Sequence, residues 1–121
     1  MNIEKTKEFY RNLQKSDLCD CAYCRNYVSE IKAAYPELSE YLARLGIDIE
    51  KPLETMPLEP DKSGYIEYAG PQYVVCGKPD DFAKTAIGSV HVDLAGSHPP
   101  TGMEAPHFVI ELYPIRLKWV M

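Results

Sequence analysis

Residues 19–26, Cys19-Asp20-Cys21-Ala22-Tyr23-Cys24-Arg25-Asn26, place three of the four cysteines within six positions at the head of a helical pattern. From there Cys21, Cys24, Val28, Ile31 and Tyr35 recur at alternating intervals of three and four, and Tyr27 and Ala34 widen the stripe. That periodicity predicts an amphipathic helix with Asp20 as its N-cap and Cys21 as its first helical residue. Pro36 disfavours helical geometry at Tyr35 and suits a helix start, so a second helix is predicted with Leu38, Tyr41, Leu42 and Leu45 on one face. Gly46, followed by Ile47, reads as its left-handed cap.

Upstream, Ile3, Phe9, Tyr10 and Leu13 give helical spacing over residues 3–14, and Ser16-Asp17 turn the chain. Downstream, Pro52, Pro57 and Pro60 mark an extended connection that holds a short edge strand over Leu53–Leu58 and ends in the turn Asp61-Lys62-Ser63-Gly64. Tyr65–Tyr68 and Gln72–Cys76 are β-rich runs around Ala69-Gly70-Pro71, the spacing of a hairpin. Ile87–Leu94 and Phe108–Trp119 alternate apolar with polar residues, the second with a register change at Pro114, and both read as strands. Between them residues 95–106 form a loop too long for a simple turn, of a length found in binding loops or disordered segments.

Helices followed by strands predict an α+β domain, with N-terminal helices packed on one face of a mainly antiparallel sheet of about four strands. The 121 residues suit a single domain, helical over about 3–46 and strand-rich over about 53–120. An apolar fraction of 45% and a charged fraction of 26% are those of an ordinary globular chain, with no apolar run long enough for a membrane span. The net charge of −5 argues against nucleic acid as a partner, because phosphate neutralisation wants a basic face. Proteins or small molecules are the expected partners. The polar opening Met1-Asn2-Ile3-Glu4-Lys5 lacks a signal-peptide apolar region, which points to a cytoplasmic product with reduced thiols.

The run Cys21-Ala22-Tyr23-Cys24-Arg25-Asn26-Tyr27, with Tyr35-Pro36-Glu37-Leu38, Leu45-Gly46-Ile47-Asp48, Lys51-Pro52 and Tyr68-Ala69-Gly70-Pro71-Gln72-Tyr73, resembles a family of small bacterial proteins of uncharacterised function. The resemblance covers roughly residues 18–77 and centres on Cys-x-x-Cys-Arg-Asn at a helix start. It implies a bacterial cytoplasmic origin and carries over no catalytic residue.

Three readings of the thiols follow from their chemistry. Cys21 and Cys24 have the spacing of a zinc-binding pair, Cys19 adds a third thiolate, and His98 is the candidate fourth ligand, with Cys76, His91 and His107 as alternatives. No second Cys-x-x-Cys or His pair accompanies them. Burial is the competing reading, since both residues continue the core-facing stripe and cysteine behaves as a small hydrophobe. A redox or thiol enzyme is the third, drawing on thiolate stabilisation at a helix N-terminus, with His98 or His107 as helper and Asp17 and Asp20 opposing it.

His91 and Asp93 share one strand face and His107 and Glu111 another, so neighbouring strands would bring imidazoles and carboxylates together for metal binding or acid–base chemistry. Arg25 and Asn26 lie away from the stripe, where a structural bond to the preceding loop is expected. Tyr65, Tyr68 and Tyr73 should pack against the helices. No phosphate loop, nucleophile elbow or dinucleotide fingerprint occurs. The sequence therefore favours a non-enzymatic domain whose cysteine cluster either binds zinc structurally or plugs the core and which acts through a protein partner, over a thiol- or metal-dependent enzyme or a toxin-neutralising immunity protein.

Overall fold

The computed structural model describes residues 1–121 and contains three α-helices followed by six strands: α1 (Ile3–Asn12), α2 (Ala22–Ala34), α3 (Pro36–Arg44), β1 (Tyr65–Tyr68), β2 (Gln72–Cys76), β3 (Thr85–Ile87), β4 (Val90–Leu94), β5 (His107–Tyr113) and β6 (Ile115–Lys118). All pairings are antiparallel, in a four-stranded sheet ordered β2-β5-β4-β3 and a two-stranded sheet of β1 and β6. This is the α+β class expected from the order of elements, with two sheets in place of one.

The expected hairpin of β1 and β2 does not form. β1 pairs with β6 and β2 with β5, so Ala69-Gly70-Pro71 is a corner in one bent strand. Its counterpart in the opposing strand is Pro114, and the bond from Leu112 N–H to the Pro71 carbonyl (2.9 Å) ties the two corners together. The edge strand expected over Leu53–Leu58 is present as two isolated bridges, Glu54 to Gln72 and Pro57 to Tyr68, which span the corner from outside. Ile87–Leu94 is not one strand either. Gly88, with φ +60°, and Ser89 reverse the chain and make β3 and β4 a tight hairpin.

Alternation sorts the sheet into two faces. Tyr73, Val75, Phe108, Ile110 and Leu112 enter a core of 19 buried residues together with Tyr27 and Ile31 of α2 and Leu38 and Leu42 of α3. Val74, Cys76 and Val109 point the other way and are nonetheless buried. Residues 95–106 account for this: the loop folds back over that face, its Ser97 carbonyl accepting from Gln72 Nε2 (2.8 Å) and its Pro106 carbonyl from Gly77 N–H (3.0 Å). The long loop is thus a cover for that face.

Helix α1 has a different task from the one its apolar spacing suggests. Ile3 is exposed, while Thr6 and Tyr10 are buried against the free edge of β2. Thr6 Oγ1 accepts from Cys76 N–H (3.0 Å), Asn2 N–H donates to the Cys76 carbonyl (2.8 Å), and Tyr10 OH donates to the Val74 carbonyl (2.7 Å). These contacts occupy edge groups that would otherwise be open to pairing with another chain. Lys51 Nζ donates to the carbonyls of Tyr10 (2.7 Å) and Leu13 (2.8 Å), closing the C-terminal end of α1 two residues earlier than expected.

Helix α3 follows the sequence reading closely. Pro36 is its first residue, and at its end Gly46 adopts φ +88° while Ile47 N–H donates to the Leu42 carbonyl (3.0 Å). Gly46 also lets α1 approach, since a Cβ there would stand 2.7 Å from the Ile3 carbonyl oxygen. Helix α2 starts one residue later than expected, with Cys21 rather than Asp20 at the N-cap. Its buried side is consequently Cys24, Asn26, Tyr27 and Ile31, and Cys21 is exposed. No helix of the structure is long and apolar enough to cross a membrane.

Candidate metal centre

The start of α2 is held in place from its opposite side. Asn26 is fully buried, and it donates through Nδ2 to the Lys118 carbonyl (2.9 Å) and accepts through Oδ1 from Val120 N–H (2.9 Å). Its role is structural as expected, but its partners are at the end of β6, not in the preceding loop. Tyr27 and Tyr73 lock the next turn. Tyr73 OH donates to the Ile49 carbonyl (2.6 Å), so the single proton of Tyr27 OH is the one shared between the two hydroxyls at 2.8 Å. Burial raises the pKa of both phenols, which keeps those protons in place.

With the helix so anchored, its first turn and the preceding loop bring Cys19, Cys21 and Cys24 together. The three sulfurs lie within 4.8 Å of one another, and Cys19 and Cys21 are 3.2 Å apart. Ligands about 2.3 Å from a tetrahedral zinc ion stand about 3.8 Å from each other, so shifts of about 1 Å or less in two exposed side chains would meet that geometry. These three thiols are therefore a group that could hold a metal ion.

The trio is not chemically uniform. The pKa of Cys21 is lowered, first by the Cys24 backbone N–H at the open helix start, against a burial penalty that opposes it and with the Cys19 thiol assisting. Cys24 is 9% exposed, and burial pushes its thiol up to about 12, against a contact from its Sγ to Thr55 Oγ1 (3.5 Å). The burial reading of the sequence therefore holds for Cys24 and fails for Cys21. Periodicity counted Cys21 into the stripe, but as N-cap it precedes the first helical turn.

The other candidate ligands lie elsewhere. Cys76 is buried under the cover loop with its sulfur 3.8 Å from Met103 Sδ. His98 is exposed and its Nδ1 meets the Pro99 carbonyl (2.8 Å). His107 has both ring nitrogens engaged, by Thr101 Oγ1 and by the Ala105 carbonyl, each at 2.8 Å. His91 is stacked on Tyr113, its cross-strand partner, with centroids 5.3 Å apart. None of these four joins the three sulfurs.

The second constellation divides in the same way. β4 and β5 are neighbours, and Asp93 faces Glu111 across the ladder, but His91 is level with Tyr113. Six residues of strand, about 20 Å, separate that position from His107, so the imidazoles do not converge.

A feature that the sequence did not signal adjoins the thiols. A pocket of about 440 Å³ opens between the C-terminal half of α1, the start of α2, residues 51–57 and the tip of the cover loop, and Cys19, Cys21 and Cys24 all belong to its wall. Its parts, which also include Val74 of β2, come from five separated segments, so no local pattern could have revealed it. No family model, curated protein or solved structure matches the chain.

Proposed function

We propose that this chain is a small, non-enzymatic zinc-binding domain in which Cys19, Cys21 and Cys24 bind the ion as thiolates and a protein partner reads the loaded state. The observation that carries the reading is the convergence of three sulfurs within 4.8 Å at an open helix start. Thiolate donors select soft and borderline metals, zinc among them. The Cys21 thiol, whose pKa is lowered, is the natural first ligand, and binding then draws the proton from Cys24, whose pKa burial raises.

The zinc of this proposal is not a core staple. Neither Cys19, Cys21 nor Cys24 belongs to the 19-residue core, which needs no metal to be continuous. Three protein ligands also leave one tetrahedral position for a group from outside the trio, the arrangement of an open site. Metal analysis of protein purified without chelator tests the reading. One zinc per chain, lost in Cys21→Ser and retained in Cys76→Ser, is the expected result; absence of stoichiometric metal after zinc reconstitution overturns it.

The lowered pKa and exposure of Cys21 also favour a second reading, a thiol-reactive centre. Alkylation of Cys21 no faster than that of a free thiol at neutral pH would remove it.

A further inference from the structure

We infer that the pocket beside the thiols binds a small organic molecule with an apolar body and one neutral metal-binding donor, which takes the open fourth position of the ion. The inference rests on the metal reading above and extends it to the ligand. The volume of about 440 Å³ falls within the range of small-molecule sites. Phe9, Leu13, Val28 and Leu53 give the wall its apolar character, and the sulfurs are its chemically reactive edge.

Polarity decides the ligand class. The charged residues of the wall already have backbone partners: Lys51 Nζ donates to two α1 carbonyls, Glu54 Oε1 accepts from Thr55 and Met56 N–H, and Asp17 Oδ2 accepts from Gln14 N–H. No free cation lines the pocket to receive a phosphate or carboxylate. Two carboxylates against one ammonium, and three thiolates against a divalent ion, each leave the site negative, which disfavours an anionic ligand. What remains for recognition is apolar contact together with coordination. An uncharged nitrogen donor on an aromatic body combines the two.

The test uses the full chain loaded with cobalt(II), whose visible bands report both thiolate ligation and a change in the fourth ligand. The probes are 4-phenylimidazole and imidazole, which share the donor and differ by the ring that would enter the pocket. Burying that ring should make 4-phenylimidazole bind at least about tenfold more tightly than imidazole. Leu53→Trp, whose backbone bond to the Gln72 carbonyl is unaffected by the side chain, should fill the pocket and abolish the preference while the cobalt–thiolate bands persist. Equal affinity of the two probes, or no spectral response to either, in a protein that shows cobalt–thiolate bands overturns the pocket assignment and leaves the metal reading standing. Absence of cobalt–thiolate bands overturns the metal reading and this inference with it.

Discussion

Replacing Asn26 with alanine should cost about 2–4 kcal/mol, a large loss for a residue that the sequence places near a helix start and away from the apolar stripe. The side chain makes two bonds of 2.9 Å to the backbone of Lys118 and Val120, and a longer one of 3.4 Å to Tyr68 OH. Each short bond contributes about 1 kcal/mol, and the two backbone groups left behind are only partly reachable by water, which adds to the cost. Tyr68 loses little, because its hydroxyl still donates to the Tyr23 carbonyl at 2.6 Å. A chain of this size has an unfolding entropy of about 0.25 kcal/mol per kelvin, so the midpoint temperature should fall by roughly 8–16 °C. Asn26→Asp supplies the control. Its carboxylate can still accept from Val120 N–H but faces the Lys118 carbonyl without a proton to donate. Its folded-state pKa should therefore be raised, so stability present at low pH is lost as pH rises through that value. Urea unfolding of both variants is the assay, read at constant slope. A loss below about 0.5 kcal/mol for Asn26→Ala would refute the claim that this side chain clamps α2 to the end of β6.

Three further outcomes follow from the same geometry. Tyr73→Phe should cost about 1–3 kcal/mol in urea unfolding and exceed Tyr27→Phe, because it strands both the Ile49 carbonyl and the Tyr27 proton; a smaller effect than Tyr27→Phe would contradict the proton assignment. Gly46→Ala should lose about 2 kcal/mol or more of stability, since φ +88° is strained for a side chain and its Cβ would stand 2.7 Å from the Ile3 carbonyl oxygen; unchanged thermal unfolding would count against the close approach of α1. Asp61, held at about 2 chiefly by the Ser63 hydroxyl and then by Tyr65 N–H, favours folding above its unfolded pKa near 3.9, an advantage lost as pH falls toward 2. Its carboxyl resonance should titrate near 2 and move upward in Ser63→Ala, and titration at an ordinary value in both proteins would dismiss the turn as the cause.

How much was legible in the sequence depended on the range of the interaction involved. Helix α3 could be read because Pro36 and Gly46 act on their own backbone, and α2 because periodicity is local. Strand partners were less accessible. Tyr65–Tyr68 and Gln72–Cys76 look like a hairpin at short range, but each finds its partner more than 30 residues away, a pairing no turn motif encodes. At Gly88-Ser89 alternation continues across a two-residue turn, so one strand and a hairpin give the same pattern.

The candidate site shows the same division. Three of its thiols are adjacent in sequence and were found there, whereas His98, Cys76, His91 and His107 could be nominated only by residue type and lie apart from them. The pocket depends on five segments meeting, and Cys21 on the residue at which a helix begins. Both are set by tertiary packing.

The most direct test of the central claim is the absorption spectrum of the cobalt(II)-reconstituted protein titrated to saturation. The expected result is one ion per chain with sulfur-to-cobalt charge-transfer bands that weaken in Cys19→Ser, Cys21→Ser and Cys24→Ser and are unchanged in Cys76→Ser. Absence of those bands, or bands that survive loss of all three clustered thiols together, would contradict it.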